Sequence, residues 1–221
     1  TFSTLLEDGK GKNAKYVVIA GGYNDMAYSY DTIKNKVYET VKKAQRLYPD
    51  AKILVGMTGD ATSNRTRFKN VIQGYKDGTK EAGGIYITNS EYALNGNKNY
   101  FASDGYHPNV KGHHAIGETI GGYLMKCEDI RVNSYASIIT IGAGTYATSN
   151  GHFMNTTGIY HNYYMVDGIV DQSITAAIKY KDEYYKVDAG KVDTLYNGPW
   201  TYNGITYYLI NGHTNKNMNG P

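Results

Sequence analysis

The stretch YVVIAGGYND, residues 16 to 25, joins an apolar run rich in β-branched side chains to two glycines and an Asn-Asp pair. A short run of this kind, closed by glycine, is typical of a parallel strand buried on both faces. The segment AKILVGMTG, residues 51 to 59, has the same form, and GGIYITN, residues 83 to 89, is a third candidate. The first part of the chain therefore predicts a parallel sheet whose strands end in glycine-containing loops.

Helical periodicity marks the segments between and after these strands. In DTIKNKVYETVKKAQRLYP, residues 31 to 49, apolar residues recur every three or four positions, which predicts an amphipathic helix capped by Asp31. SNRTRFKNVIQGYKDGTKEAGG, residues 63 to 84, and VKGHHAIGETIGGYLMK, residues 110 to 126, repeat the pattern. Because strands alternate with helices, we expect an α/β fold, a three-layer α/β/α sandwich with a parallel sheet.

A second, β-rich region is predicted to begin at residue 128, where helical periodicity ends. Short runs of strand-forming residues are separated there by Gly, Asn and Asp, and WTYNGITYYLI, residues 200 to 210, carries the Asn-Gly signal of a type I′ hairpin. We expect two domains, 1–127 and 128–221, the second being a smaller Tyr-, Gly- and Asn-rich module for binding or assembly. The stretch NGHTNKNMNGP, residues 211 to 221, is expected to be a frayed or partner-ordered tail.

Composition narrows the classes of function. The chain has 221 residues and a formal net charge of +3, which makes nucleic acid a poor partner, and no apolar segment approaches the ~20 residues needed to span a membrane. A single cysteine, Cys127, excludes an intrachain disulfide and a cysteine-based zinc site. The 24 tyrosines and 26 glycines resemble extracellular β-rich surfaces, so we expect an extracellular, cell-surface or virion location.

The glycine and asparagine after the first strand form the first candidate constellation. Ligands of open α/β sheets bind beyond the carboxyl ends of the strands, and Gly22 and Asn24 stand at such an end. An Asn amide there can donate to a developing oxyanion, and a glycine allows close approach of the backbone. Asp25 either supports this loop or caps the following segment. The alternative is that Asn24 and Asp25 are ordinary turn residues.

The second constellation is SDGYHPN, residues 103 to 109, in which Asp104 and His107 lie three residues apart just before a helical segment. A carboxylate in a turn can accept from one imidazole nitrogen while the other faces a substrate, as in the base half of a hydrolytic triad. The alternative is an Asx turn with an incidental histidine. His113 and His114 are adjacent on the predicted helix and point to different faces, so no metal site is expected.

The two constellations together resemble the SGNH (GDSL-type) hydrolase family over roughly residues 1 to 126. The family's Gly-x-Asn-Asp block supplies an oxyanion-hole asparagine, which maps to Asn24, with Gly22 and Asp25 as support. Its Asp-x-x-His block supplies the acid and base of the triad, which map to Asp104 and His107. The segment HPNVKGHHAIGETI, residues 107 to 120, resembles the family's closing helix.

The sequence departs from the family at the nucleophile. The family's serine belongs to a Gly-Asp-Ser block on an earlier strand, whereas Ser3, the sole serine ahead of Asn24, lacks those neighbours. The resemblance therefore implies an SGNH/flavodoxin-like domain without its N-terminal strand, with the serine on an upstream segment of the same polypeptide. On this expectation the chain alone is inactive.

These features lead to three functional hypotheses. The first is a serine esterase or acylhydrolase, without cofactor or metal, acting on an acylated carbohydrate or another extracellular polymer, or on a small ester. The second is a non-catalytic receptor- or glycan-binding or assembly protein, at a bacterial surface or in a phage tail, with which a homotrimer is compatible. The third is a flavodoxin-like domain without hydrolytic activity, in which Asn24 and His107 lie far apart.

Overall fold

The computed structural model describes residues 13–57 and 68–214. The chain divides into two compact units, Thr1–Tyr123 and Leu124–Pro221, which we call unit 1 and unit 2. No helix among the described residues has both the length and the apolar character needed to cross a membrane.

Unit 1 contains a three-stranded parallel sheet. Its strands are β1 (Tyr16–Gly21), β2 (Lys52–Met57) and β3 (Ile85–Tyr86), in the order β1-β2-β3. All three strands predicted in this part of the sequence are confirmed. Because the strands are parallel, their carboxyl ends lie at one edge of the sheet, and the loops that follow them start from that edge.

The described residues contain three α-helices: α1 (Tyr30–Leu47), α2 (Lys69–Glu81) and α3 (Val110–Cys127). The apolar stripe of α1 is buried against the sheet and α2, and its buried members are Ile33, Val37, Val41 and Ala44. The predicted cap is wrong, since Ser29 occupies the N-cap position and its Oγ accepts the backbone N–H of Thr32 at 3.2 Å. Asp31 lies instead in the first turn, where a negative charge stabilises the helix. Residues 63–67 of the second helical pattern lie outside the described residues.

Close contact between α1 and α2 depends on two glycines of α2. A Cβ atom added to Gly74 would lie 2.8 Å from Cγ2 of Ile33, and one added to Gly78 would overlap the carbonyl oxygen of Lys34. The two helices can therefore approach closely only because these positions lack a side chain.

Unit 2 is an antiparallel sheet of twelve short strands. They are β4 (Ile138–Ile141), β5 (Gly144–Ser149), β6 (His152–Phe153), β7 (Gly158–Tyr160), β8 (Tyr163–Val166), β9 (Ile169–Val170), β10 (Ala176–Tyr180), β11 (Glu183–Asp188), β12 (Lys191–Val192), β13 (Gly198–Tyr202), β14 (Ile205–Ile210) and β15 (His213–Thr214). The β-rich C-terminal region predicted from the sequence is confirmed, and so is the hairpin at Asn203 and Gly204, which have φ angles of 49° and 79°.

The strands of unit 2 follow a repeating plan: a hairpin, a tight turn and a two-residue strand. The hairpins β7–β8, β10–β11 and β13–β14 are followed by the short strands β9, β12 and β15. The glycines of the tight turns, Gly168, Gly190 and Gly212, recur at an interval of 22 residues. The hairpin β4–β5 and the short strand β6 precede these three groups in the chain and follow the same order. We call each such group a repeat.

Each tight turn places two successive residues at positive φ, which is the type I′ conformation. The pairs are Asp167-Gly168, Ala189-Gly190 and Asn211-Gly212, with φ angles of 50° and 74°, 46° and 77°, and 52° and 79°. All three glycines are buried, and a Cβ added to Gly190 would lie 2.7 Å from the carbonyl oxygen of Asp171. The turn thus requires glycine for two reasons: its φ angle is positive, and a Cβ atom would lie too close to the neighbouring backbone.

The predicted fold class is wrong. Among the described residues twelve strands form the antiparallel sheet and only three form the parallel one, with three helices, so the protein is mostly β and is not a three-layer α/β/α sandwich. Long helices show the periodicity of their apolar residues clearly in a sequence. Two-residue strands such as β9 and β12 are too short to show alternation.

The tail predicted for residues 211–221 is wrong in its first part. Asn211 and Gly212 form a turn, and β15 pairs with both β14 and β11. Residues 215–221 lie outside the described residues.

We predict that Gly190→Ala destabilises unit 2 more than Gly204→Ala. Both glycines have positive φ, so each substitution carries a backbone cost of about 1–2 kcal/mol. A Cβ at position 204 meets nothing within 4 Å, whereas one at position 190 meets the Asp171 carbonyl and adds an overpacking cost of roughly 1–3 kcal/mol. The measurement is urea unfolding followed by the fluorescence of Trp200, the single tryptophan of the chain. Equal losses in the two variants would contradict the prediction.

Candidate active site and an aromatic surface

The Asp104–His107 pair is built by a tight loop just ahead of α3. The backbone N–H of Ala102 donates to the carbonyl of His107 at 2.8 Å, which closes the loop, and Gly105 turns it with a φ of 72°. Inside the loop, Oδ1 of Asp104 accepts the backbone N–H groups of Tyr106 and His107 at 2.8 and 3.0 Å. Oδ2 remains available for the imidazole, and Nδ1 of His107 lies 2.7 Å from it.

This geometry combines both sequence interpretations of the motif. It is an Asx turn, because Asp104 binds the backbone of the residues that follow it. It is also a carboxylate–imidazole pair, because the second oxygen contacts the ring. With Nδ1 directed at Asp104, Nε2 is the nitrogen that can exchange a proton with a bound molecule.

The loop is tied to α3 by the side chain of Asn109. Its Oδ1 accepts the backbone N–H groups of Lys111 and Gly112 at 2.9 and 3.1 Å, which caps the helix. Its Nδ2 donates to the carbonyls of Asn99 and Phe101 at 3.0 and 2.9 Å, in the segment that enters the loop. One amide therefore fixes both the start of the helix and the segment that leads into Asp104.

Electrostatics keep the Asp104 carboxyl ionised. Hydrogen bonds from the backbone N–H of His107, from its imidazole and from the backbone N–H of Tyr106 hold the pKa of Asp104 well below its usual range. The side chain of His107 is 83% exposed and that of Asp104 46% exposed. The pair therefore stands on the surface of unit 1, where water screens its Coulombic attraction.

A buried charged network anchors the segment that leads from β3 toward this loop. The side chain of Glu91 is 1% exposed, its Oε1 lies 3.1 Å from Nζ of Lys76 on α2, and its Oε2 accepts from the hydroxyl of Tyr86 at 3.0 Å. Burial, followed by the nearby Glu91 charge, raises the pKa of Tyr86 well above its ordinary value, so the hydroxyl remains a donor. Next to it, Oγ of Ser90 accepts the backbone N–H of Met57 at the end of β2.

The Gly22–Asp25 turn follows β1. Gly22 has a φ of 107°, and a Cβ there would lie 3.0 Å from Cγ of Met57, so the turn is packed against the end of β2. Asp25 supports this turn, because its Oδ2 accepts from the hydroxyl of Tyr75 on α2 at 2.8 Å. Burial and the Asp25 carboxylate raise the pKa of Tyr75, which keeps that hydroxyl protonated.

Asn24 lies on the same turn with its side chain exposed. The structure brings Asp104 and His107 into contact with each other and Asp25 into contact with Tyr75. Among the described residues Asn24 forms no side-chain hydrogen bond, either to His107 or to another group.

An apolar cavity of about 360 Å³ borders this turn. It lies between β1, β2, α1 and α2, and its aliphatic lining consists of Ile19, Ile33, Val37, Val41 and Val55. The rest of the lining consists of Asp25, Tyr28, Thr32, Lys36, Thr40 and Tyr75. A hydrocarbon chain matches such a lining better than a polar group does.

Unit 2 carries a separate aromatic cluster on its last hairpin. Trp200 and Tyr202 alternate along β13 and stack with ring centroids 5.5 Å apart. Tyr207 lies opposite Trp200 in the β13–β14 register at 6.0 Å, and Tyr184 of β11 lies 4.9 Å from Tyr207. All four rings are half-buried, so each keeps part of its surface open to solvent. We call these four residues the aromatic surface.

No family model matches the chain, and no curated protein matches it.

Sequence reasoning missed several residues of the site. Asn109 directly precedes the third helical segment, and an Asn in that position is a capping signal that could have identified it. Glu91 and Lys76 are distant in sequence, and neither lies in a pattern that predicts burial of a charge. Tyr75 lies within the second helical segment, and its hydroxyl contact with Asp25 could not be read from spacing.

We predict that His107→Ala raises the pKa of Asp104 only part of the way to the unfolded value of about 3.9, because the two backbone N–H groups remain. The pKa of Asp104 is lower in the folded protein than in the unfolded chain. Its ionised carboxyl therefore contributes to the free energy of unfolding fully above the unfolded-state pKa, and this contribution is lost as the pH falls through the folded-state pKa. The measurement is an NMR titration of the Asp104 carboxyl, with His114→Ala, an exposed histidine of α3, as the control. A complete return to about 3.9 in His107→Ala would contradict the assigned backbone contribution.

Proposed function

We propose that unit 1 supplies the acid–base and oxyanion groups of a serine ester hydrolase of the SGNH type. The observation that carries the proposal is the 2.7 Å contact between Nδ1 of His107 and a carboxylate whose other oxygen is held by two backbone N–H groups. This arrangement fixes the ring and its tautomer, as a general base requires. The proposal rests on these side chains and not on a layered architecture.

In the proposed reaction, Nε2 of His107 accepts the proton of a serine hydroxyl as its oxygen attacks the acyl carbon of an ester. The same proton then passes to the leaving alcohol as the tetrahedral intermediate collapses to an acyl-enzyme. Water repeats the sequence and releases the carboxylic acid. Asp104 remains ionised throughout and stabilises the imidazolium, in keeping with its depressed pKa.

Asn24 would donate its side-chain N–H to the oxyanion of each tetrahedral intermediate. Two features support this role. The turn that carries it is held by the Asp25–Tyr75 hydrogen bond and by the packing of Gly22, and the amide is exposed. The apolar cavity beside the turn offers space for an acyl group.

The nucleophile in this proposal is a serine on polypeptide upstream of Thr1. Ser90 does not fit the role, because its hydroxyl is buried and accepts the backbone N–H of Met57. Ser3 lies outside the described residues. The proposed substrate is an acylated carbohydrate or another acylated extracellular polymer, since the aromatic surface of unit 2 suits the stacking of sugar rings.

The test is hydrolysis of p-nitrophenyl acetate by a protein that includes the upstream polypeptide. His107→Ala is expected to lower kcat/KM by roughly 10⁴-fold, and Asn24→Ala to lower kcat by about 10²–10³-fold. Asp104→Asn should act through the tautomer of His107 and cost about 10⁴-fold.

His114→Ala provides the matched control, because His114 is an exposed histidine on α3. It should leave turnover unchanged. Turnover that survives in His107→Ala at the level of the parent protein would rule out the proposed base.

A second candidate function, a receptor- or glycan-binding protein of a bacterial surface or phage tail, is favoured by the aromatic surface. Trp200, Tyr202 and Tyr207 expose neighbouring rings on one hairpin, and flat rings bind the apolar faces of sugars with little loss of side-chain entropy. In this case Asp104 and His107 have no role in binding.

The two functions separate in a glycan-array experiment. If unit 2 binds glycan, Trp200→Ala should weaken binding by about tenfold, the loss expected for one aromatic contact. Tyr135→Ala, an 80% exposed tyrosine outside the aromatic surface, is the control and should bind normally. Unchanged binding in His107→Ala and Asn24→Ala would favour the second function, whereas loss of binding in these two variants would point to a substrate pocket in unit 1.

A further inference from the structure

Successive repeats of unit 2 are joined by one recurring contact. The short strand of each repeat pairs with the second strand of the preceding hairpin. The paired residues are Tyr146 with Ile169, Tyr163 with Lys191, and Tyr185 with His213. The short-strand members of these pairs recur every 22 residues.

A backbone hydrogen bond accompanies each of the later contacts. The N–H of Tyr164 donates to the carbonyl of Gly190, and the N–H of Lys186 donates to the carbonyl of Gly212, both at 2.8 Å. The acceptor in each case is the glycine of the type I′ turn in the following repeat. The turn therefore shapes one repeat and also provides the contact with its neighbour.

Among the described residues, the last hairpin, β13–β14, presents the same edge without that contact. By position in the repeat, Tyr207 corresponds to Tyr185 and Tyr208 corresponds to Lys186. Within residues 68–214, Tyr207 pairs with Trp200 of β13 and with no residue of a short strand on its other side. The N–H of Tyr208 likewise has no turn glycine of a following repeat among the described residues.

The side chains at this end are apolar and exposed. Tyr208 is 67% exposed, Ile205 57% and Ile210 38%. At the corresponding positions of the preceding hairpin, Lys186 is half-buried and donates to Asp193, and Glu183 accepts from the hydroxyl of Tyr185. An open strand edge with apolar side chains is a template for pairing, and the terminal repeat of an array normally needs a cover.

We propose that the open edge of β14 is a docking site for one further unit of the same 22-residue pattern. The occupant is a type I′ turn and short strand like those of the existing repeats, because three successive contacts in unit 2 are made by such an element. The sequence contains the start of that pattern once more: Asn219, Gly220 and Pro221 repeat Asn197, Gly198 and Pro199 at an interval of 22 residues. The further unit contributes a glycine carbonyl to the N–H of Tyr208 and a strand residue beside Tyr207.

The experiment extends the full chain after Pro221 with a copy of residues 200–221, which continues the interval of the repeat. Hydrogen exchange is measured by NMR at the amides of Tyr208 and Lys186. The amide of Tyr208 is expected to exchange about tenfold more slowly in the extended protein, the change associated with one added hydrogen bond. The amide of Lys186, which already donates to Gly212, reports in every variant that the existing β11–β15 contact is intact.

The matched control carries the same extension with valine in place of the glycine copied from Gly212. A β-branched residue does not adopt positive φ without strain, so this extension should not form the turn and should not protect Tyr208. Equal exchange of Tyr208 with and without the intact extension overturns the proposal, as does equal protection by the valine control. Protection that appears in the unextended protein and grows with its concentration also overturns it, because the occupant is then a second copy of the chain.

Discussion

The antiparallel sheet depends on a backbone that reverses direction with two successive residues at positive φ. In each reversal the second residue is a glycine pressed against the carbonyl of a preceding connector, as Gly190 is against Asp171. The turn fixes the register of the short strand after it, and the glycine carbonyl then receives an N–H from the previous hairpin. One conformational requirement thus sets both the shape of a repeat and the distance to the next one, which is the basis of nearest-neighbour stability in repeat proteins.

Unit 1 is organised differently, around side chains that satisfy the backbone. Asp104 holds two N–H groups and an imidazole, and Asn109 caps α3 while binding two carbonyls. Each of these side chains forms hydrogen bonds with several backbone groups of an irregular loop. The loop therefore has a definite conformation without regular secondary structure. The imidazole of His107, bound through Nδ1, stays largely exposed. In the proposed hydrolase, such a loop would hold the imidazole in position for proton transfer.

The sequence predicted local elements well and the global architecture poorly. The strands of the parallel sheet, the helices and the Asn203-Gly204 hairpin were predicted correctly because each carries its own periodicity or turn chemistry. The fold class was wrong, since strands of two residues leave no periodic trace and since the paired residues, such as Tyr163 with Lys191 and Tyr185 with His213, are distant in sequence. The interval of the turn glycines was the signal that could have revealed the repeats. At the candidate site, the Asp104–His107 spacing predicted a real contact, whereas Glu91 and Tyr75 are positioned by tertiary packing that no local pattern encodes.

The preference for tyrosine over phenylalanine follows from the narrow core of unit 2. The buried apolar cluster there is centred on Ala147, Met165 and Val170, with rings such as Tyr160 and Tyr163 only partly covered. A ring that is half in contact with water gains from a hydroxyl group at its outer end, because the apolar part packs while the phenol oxygen stays hydrated. Unit 2 contains 12 of the 24 tyrosines of the chain but only one of its 4 phenylalanines, so the partly covered rings of this thin sheet keep a hydrated outer end.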